Sequence, residues 1–170
     1  MSNWICDELQ VNDAVDLSGP HGECFYVSGN PNQALLLIGT GTGLAPLLGI
    51  VRDALYSGHK GPVCLYHGSH EYAGLYSMDL LHGLVERYPH FHYTPCVSSK
   101  PSRHTLVRAG RADDNAFADL PNLSGWRVFL CGNPPMVRSA RKKAYLAGAD
   151  MAEICVDAFE VTDLRRAPRD

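Results

Sequence analysis

The sequence lacks several features that would assign it to a large class of proteins. Its longest uninterrupted apolar run covers only residues 34–38, whereas a membrane-spanning helix needs about 20 apolar residues. The 15 Lys and Arg residues are outnumbered by 18 Asp and Glu residues, for a net charge of −3, so there is no basic field of the kind that nucleic-acid-binding proteins use. The first ten residues show no secretory signal. We therefore expect a cytoplasmic protein that binds neither membrane nor nucleic acid.

The six cysteines are too widely spaced for a metal-binding motif, because no two are separated by the two residues of a C-x-x-C pair. A disulfide framework is not expected in a chain of this size. Most of the cysteines lie in apolar, strand-like surroundings, where cysteine behaves as a small hydrophobic residue. The sequence therefore predicts no metal site and favours a reducing compartment.

The apolar pattern alternates between strands and helices from residue 34 onward. Five strands are predicted at 34–38, 63–66, 91–97, 127–131 and 154–156, with helices around 44–55, 80–88, 115–120 and 136–144. This alternation favours an α/β fold with a doubly wound, five-stranded parallel sheet of order 3-2-1-4-5. Pro95 cannot donate to a strand ladder, which predicts that the third strand lies at a sheet edge.

The first 33 residues do not fit this scheme. Residues 15–17 and 24–27 have the composition of strands around a tight turn at 18–22, but two such strands are too short to form a core. We therefore divide the chain into an N-terminal fragment of another domain (1–33), one α/β domain (34–160) and a flexible C-terminal tail (161–170).

A glycine-rich loop, GTGTG at 39–43, joins the first strand to the first helix. Glycines let backbone N–H groups approach a ligand, and the positive end of the helix dipole favours a phosphate there. Pro46 suits the first helical turn. The spacing G-x-G-x-G differs from the dinucleotide fingerprint G-x-G-x-x-G, so a tight turn without a ligand stays open as an alternative.

A second unusual loop, CGNPPM at 131–136, follows the fourth strand and is predicted to lie beside the first loop at the switch point of the sheet. Together, GTGLAP at 41–46 and CGNPPM resemble the nicotinamide-binding domain of the ferredoxin–NADP reductase family. The likeness is greatest to reductases that feed oxygenases and carry a two-iron ferredoxin domain. GPHGECF at 19–25 resembles the last strands of that family's flavin-binding β-barrel, which identifies 1–33 as a barrel remnant.

The resemblance implies that NADH passes a hydride to FAD, and that single electrons then go to an iron–sulfur or oxygenase partner. The R-x-Y-S/T motif that holds FAD in this family is absent, as is a cysteine cluster for a 2Fe–2S centre. FAD and any such centre are therefore expected in other parts of a parent protein. The alternative is a non-catalytic nucleotide-binding or regulatory module. An independent dehydrogenase is disfavoured because no Tyr-x-x-x-Lys motif is present.

The family motifs also imply roles for individual residues. Thr42 would position the nicotinamide, Cys131 would lie against the nicotinamide and the flavin, and Phe159 resembles an aromatic residue that covers the flavin; these three are the candidate catalytic residues. The candidate cofactor-binding residues are Gly39, Gly41, Thr42, Gly43, Leu44, Ala45, Pro46, Ser69, Glu71, Ser98, Cys131, Gly132, Asn133, Pro134 and Met136.

The choice of coenzyme is expected to depend on the loop after the second strand. No Lys or Arg occurs between positions 65 and 81 to bind a 2′-phosphate, and Glu71 could accept a hydrogen bond from the 2′-hydroxyl. This favours NADH over NADPH, unless Glu71 simply points into solvent.

Basic residues cluster at two places late in the chain. They form either a solvated surface or a docking site for an acidic ferredoxin domain. The residues are Arg138, Arg141, Lys142, Lys143, Arg165, Arg166 and Arg169.

Overall fold

Six parallel strands form one sheet in the computed structural model, which describes residues 4–16, 18–19, 24–99 and 106–159 of the chain. The strands are β1 (Leu35–Thr40), β2 (Val63–Ser69), β3 (Phe91–Val97), β4 (Arg108–Ala109), β5 (Arg127–Gly132) and β6 (Ile154–Ala158). Their spatial order is β4-β3-β2-β1-β5-β6.

Helices cover both faces of the sheet. Leu35 and Leu37 of β1 pack in one apolar cluster with the helices α1 (Leu44–Tyr56) and α2 (Met78–Arg87). Leu36 and Ile38 pack in a second cluster with α3 (Ala112–Asp119) and α4 (Pro134–Leu146). Burial on both faces explains why β1 is a continuous apolar run.

The prediction of five strands was wrong by one. β4 pairs with Cys96 and Val97, so β3 is not the edge strand. Pro95 is nevertheless compatible with this position. The carbonyl of Val97 accepts from Gly110 N on the β4 side, and alternate residues point their backbone groups the same way. The Pro95 nitrogen, which carries no hydrogen, therefore faces the β4 side of β3, one position before the first residue that pairs with β4.

The strands predicted at 15–17 and 24–27 are not found among the described residues between 4 and 34, and the barrel remnant is not confirmed. The first ordered element there is a π-helical turn, Trp4–Glu8. At 24–27, Cys24 and Tyr26 pack against the core while Phe25 and Val27 are exposed. The burial alternates as in a strand, but no described strand pairs with this segment. Leu17, most of the turn at 18–22, and the tail at 161–170 lie outside the described residues.

Candidate functional site

The two unusual loops are joined at the carboxyl end of the sheet, because β1 and β5 are neighbours. The backbone N–H of Asn133 donates to Thr40 Oγ1 at 3.2 Å, and the N–H of Phe159 donates to the carbonyl of Gly132 at 2.9 Å. Gly132 has φ +117°, and a Cβ there would lie 2.6 Å from the carbonyl oxygen of Thr40. Only glycine fits this position.

Two glycines of GTGTG serve the packing of these loops. A side chain at Gly43 would overlap the backbone carbonyl of Cys131, and one at Gly39 would come within 2.7 Å of Leu47 Cδ1. Both residues are buried. Their small size therefore lets the first loop lie directly against β5 and α1.

Gly41 is different, because it is exposed and faces open space. It has φ +55°, and nothing lies within 4 Å of the position that a Cβ would take. Its carbonyl accepts a hydrogen bond from the Tyr76 hydroxyl at 3.3 Å. Residues Gly41–Gly43 form a short 3-10 turn that leads into α1.

A cavity of about 600 Å³ opens beside Gly41, within the usual range for small-molecule sites. It lies beyond the carboxyl ends of β1, β2, β3 and β5, the position where open α/β sheets bind ligands. Its lining residues are Thr40, Gly41, Thr42, Gly68, Ser69, His70, Ser98, Arg111, Ala112, Asp113, Asn133, Pro134, Met136 and Phe159.

Eight of the residues selected from the sequence come together in this lining, drawn from five separate parts of the chain. They are Gly41, Thr42, Ser69, Ser98, Asn133, Pro134, Met136 and Phe159.

The other selected residues lie outside the lining. Leu44 is part of the core, and Ala45 and Pro46 are in the first turn of α1. Glu71 is exposed. The remaining four support the cavity from behind: Gly39, Gly43, Cys131 and Gly132.

The far end of the cavity is formed by the ends of β2 and β3. The N–H and the hydroxyl of Ser98 both lie within hydrogen-bond distance of the Ser69 carbonyl, at 3.0 Å and 3.4 Å. The N–H of Ser99 donates to the His70 carbonyl at 3.0 Å. These bonds fix two small hydroxyl side chains, those of Ser69 and Ser98, at the cavity wall.

Sequence reasoning missed Arg111 and Asp113, which bring full charges into the lining. Arg111 Nε donates to Asp113 Oδ1 at 3.0 Å, and Lys143 Nζ donates to Asp113 Oδ2 at 2.9 Å. The Asp113 side chain is only 1% exposed. Burial by itself would raise the pKa of its carboxyl, but the hydrogen bonds from Lys143 and Arg111 outweigh this and hold the pKa below its usual value.

A signal for these two residues was present in the sequence. Gly110 and Arg111 precede a helix, and its first turn carries Asp113 and Asp114. Residues between a strand and the next helix lie at the carboxyl edge of a parallel sheet. The signal was lost because β4 has only two residues, both exposed, and no apolar pattern marks it.

Cys131 is fully buried on β5, directly behind the cavity. Its Sγ lies 3.7 Å from Cys24 Sγ. Contact with Cys24 and burial both raise the pKa of the Cys131 thiol, so this group is neutral at physiological pH.

Two further features of the described residues bear on the sequence predictions. They contain no group of three metal-ligating side chains and no helix long and apolar enough to span a membrane. On α4, Arg138, Arg141 and Lys142 are exposed, whereas Lys143 pairs with Asp113 and Asp114. The basic surface of this helix is therefore smaller than its composition indicates.

Comparison with known proteins gives consistent matches. The family model described as the oxidoreductase NAD-binding domain matches residues 37–142. The chain is 38% identical over 159 residues to a reductase component, ferredoxin–NAD(P)(+), of the naphthalene 1,2-dioxygenase/salicylate 5-hydroxylase systems of Ralstonia sp. It is 37% identical over 141 residues to the reductase subunit of an aromatic O-demethylase of Amycolatopsis sp..

These two alignments cover 94% and 82% of the chain, but 48% and 42% of the relatives. The chain thus spans about half the length of these curated relatives. Among solved structures, the Amycolatopsis cytochrome P450 reductase GcoB superposes with a TM-score of 0.85 at 33% identity, over 93% of this chain and 47% of that one.

Proposed function

Because the chain belongs to the oxidoreductase NAD-binding domain family, we propose that it is the NADH-binding module of a flavin-dependent reductase that serves an oxygenase. The observation that carries the proposal is the cavity itself. It joins a glycine turn at a helix N-terminus to a second loop of the CGNPP type, at the switch point of a parallel sheet.

The lining suggests how a dinucleotide would lie in this cavity. The Gly41–Gly43 turn offers backbone N–H groups and the positive end of α1 to the pyrophosphate. Thr42, Asn133 and Phe159 would surround the nicotinamide, and the hydroxyls of Ser69 and Ser98 would meet the adenosine end. NADH supplies the hydride, and the chain orients it.

We propose NADH as the preferred coenzyme. In the sequence this preference is based on Glu71, whereas in the structure it is based on Arg111. Glu71 does not line the cavity. Arg111 does, but its Nε donates to Asp113 Oδ1, which partly neutralises its charge. A 2′-phosphate would therefore meet a cation that is already paired with a carboxylate. A 2′-hydroxyl needs only neutral partners such as the hydroxyls of Ser69 and Ser98.

A companion domain would hold the FAD, since this chain spans about half of its relatives and has no flavin-binding motif. The segment 24–27 supports this, because Phe25 is 55% and Val27 46% exposed on the side turned away from the core. We propose that residues 1–33 are a remnant of a flavin-binding β-barrel and that 34–160 are the NADH-binding domain. Electrons would leave one at a time to a ferredoxin or oxygenase partner, as the names of the relatives suggest.

Gly41→Ala tests the assigned binding surface, and Gly58→Ala is its matched control. Both glycines have positive φ and open space around the Cβ position, so both alanines introduce a similar backbone strain of about 1–2 kcal/mol. Only Gly41 lines the cavity. We expect the affinity for NADH, measured by calorimetry, to fall about tenfold in Gly41→Ala, because the Cβ blocks close approach of the pyrophosphate.

The control should bind NADH like the unmodified chain. Equal affinity in both variants, or an equal loss in both, would contradict the assignment of the cavity as the coenzyme site.

A further inference from the structure

Two thiols from distant parts of the chain lie in contact behind the coenzyme cavity. Cys24 Sγ and Cys131 Sγ are 3.7 Å apart although 107 positions separate them. Cys131 is fully buried at the end of β5, and Cys24 is half-buried in a segment without helix or strand. None of the roles argued above uses this pair.

The surroundings make the two thiols chemically unequal. A hydrogen bond from Cys131 lowers the pKa of Cys24, against the opposing effects of burial and of Asp157 on β6. Arg127 adds to the lowering. The pKa of Cys131 is raised by Cys24, by burial, and by the nearby Asp157 and Cys155. Cys24 is therefore the member of the pair that ionises first, and the thiolate is the reactive form of cysteine.

Closing the pair into a disulfide requires a movement of one of the two residues. A disulfide requires an S–S distance of about 2.05 Å, so the sulfurs must approach further. Cys131 is held in the sheet between β1 and β6. Cys24 is freer, since the adjacent anchor of its segment is the contact between the Tyr26 hydroxyl and His59 Nδ1 at 3.1 Å.

We propose that Cys24 and Cys131 form a peroxide-sensitive dithiol, whose reversible disulfide ties the N-terminal segment to the end of β5 behind the cavity and weakens NADH binding. The effect on NADH binding rests on the proposed function, whereas the formation of the disulfide does not. The oxidant is a hydroperoxide.

The reaction balances in two steps. The Cys24 thiolate attacks one peroxide oxygen and the O–O bond breaks. The leaving oxygen takes up a proton as water or an alcohol, and Cys24 becomes a sulfenic acid. The Cys131 thiol then gives up its proton, its sulfur bonds to the Cys24 sulfur, and the sulfenic hydroxyl leaves as water. Two thiols and one hydroperoxide yield one disulfide, one alcohol or water, and one further water.

The disulfide would act on the cavity through the two loops. The Cys131 carbonyl lies against Gly43, and the next residue, Gly132, lies against Thr40. There is no free space at either contact. Strain that the disulfide places on the Cys131 backbone is therefore passed on to the loop that carries Thr42.

Peptide mapping after hydrogen peroxide treatment tests the chemistry directly. We expect a linked peptide pair that contains Cys24 and Cys131 and disappears on treatment with dithiothreitol. Cys24→Ser should abolish this pair and slow the oxidation of Cys131 at least about tenfold, since the low-pKa thiol is lost. Cys64→Ser is the matched control: Cys64 is half-buried in the opposite core cluster, and burial raises its pKa to about 11. This variant should form the disulfide normally.

Absence of the linked pair from the oxidised chain would overturn the proposal, and this result needs no mutant to fold and no coenzyme to bind.

Calorimetry of the oxidised and re-reduced chain then tests whether the disulfide weakens NADH binding. We expect the affinity for NADH to fall about fivefold on oxidation, because a misplaced loop loses part of its contacts, and to recover on reduction. A disulfide that leaves the affinity for NADH unchanged would overturn the proposed effect on coenzyme binding. A chain that forms the disulfide but never binds NADH would instead contradict the proposed function.

Discussion

Glycine has two separate functions in the loops around the cavity. Gly41 faces the cavity with a positive φ and leaves space for a ligand. Gly43, two positions later, is buried and lies against the carbonyl of Cys131. The first glycine serves the binding surface, and the second serves the contact between the two loops that form it.

Gly43→Ala should therefore destabilise the fold. The added methyl group would overlap the Cys131 backbone, and overpacking of this kind costs about 1–3 kcal/mol. Gly49→Ala is the matched control. Gly49 lies in α1 with nothing within 4 Å of its Cβ position, so alanine should stabilise the helix by about 0.5–1 kcal/mol.

Denaturant unfolding of the two variants measures this difference. If Gly43→Ala were as stable as Gly49→Ala, the two loops could not be packed as closely as described.

The sequence could identify these glycines as special, but it could not distinguish their functions. GTGTG is visible as a motif in one segment of the chain. The partner that requires Gly43 to be small is Cys131, which lies 88 positions away and becomes a neighbour only when β1 pairs with β5. Contacts of this kind depend on tertiary structure, so the motif alone predicts a ligand-binding role for all three of its glycines.

The helix α3 is attached to α4 through one buried carboxylate. Asp113 is in the first turn of α3 and accepts hydrogen bonds from Arg111 and from Lys143 of α4. Because Asp113 also lines the cavity, its contact with Lys143 fixes the position of α3 relative to the CGNPPM loop, which leads into α4.

Asp113→Asn should reduce the free energy of unfolding by about 2 kcal/mol at neutral pH, since charge-assisted hydrogen bonds to a buried group are lost. The folded pKa of Asp113 lies below its usual value. Its contribution is therefore complete above the unfolded pKa of about 3.9 and disappears as the pH falls through the lower, folded pKa. The difference in stability between the unmodified chain and Asp113→Asn should shrink below about pH 4.

Asp114→Asn is the control for this prediction. Asp114 also contacts Lys143, but its side chain is 58% exposed, so the change should cost less than about 1 kcal/mol. Chemical unfolding at a series of pH values measures both variants. An equal cost for the two, or a gap for Asp113→Asn that stays constant into the acid range, would argue against a buried ion pair.

Apolar periodicity predicted the long helices and strands well and the short ones poorly. The helices α1 and α4 and the strand β3 follow clear patterns. The strand β4 is two exposed residues, Arg108–Ala109, held by two pairings with β3. α3 begins three positions earlier than expected, at Ala112, because the polar residues of its first turn face Lys143 and Arg111 rather than the core.

The arrangement of the whole molecule was largely predictable because it follows from a few rules. Right-handed crossovers between parallel strands leave few possible orders, and the five predicted strands lie in the order expected, with β4 added outside β3. The two loops consequently meet at the switch point. The segment 24–27 was not predictable in the same way, since a strand requires a partner and the alternating burial of Cys24 to Val27 alone does not supply one.

The most direct measurement is a calorimetric titration of this chain with NADH and NADPH in parallel, under the same salt and pH. We expect NADH to bind and NADPH to bind at least about tenfold more weakly, because its 2′-phosphate would find the Arg111 guanidinium already paired with Asp113. Equal or tighter binding of NADPH would contradict the coenzyme preference, and binding of neither would contradict the assignment of the cavity as a coenzyme site.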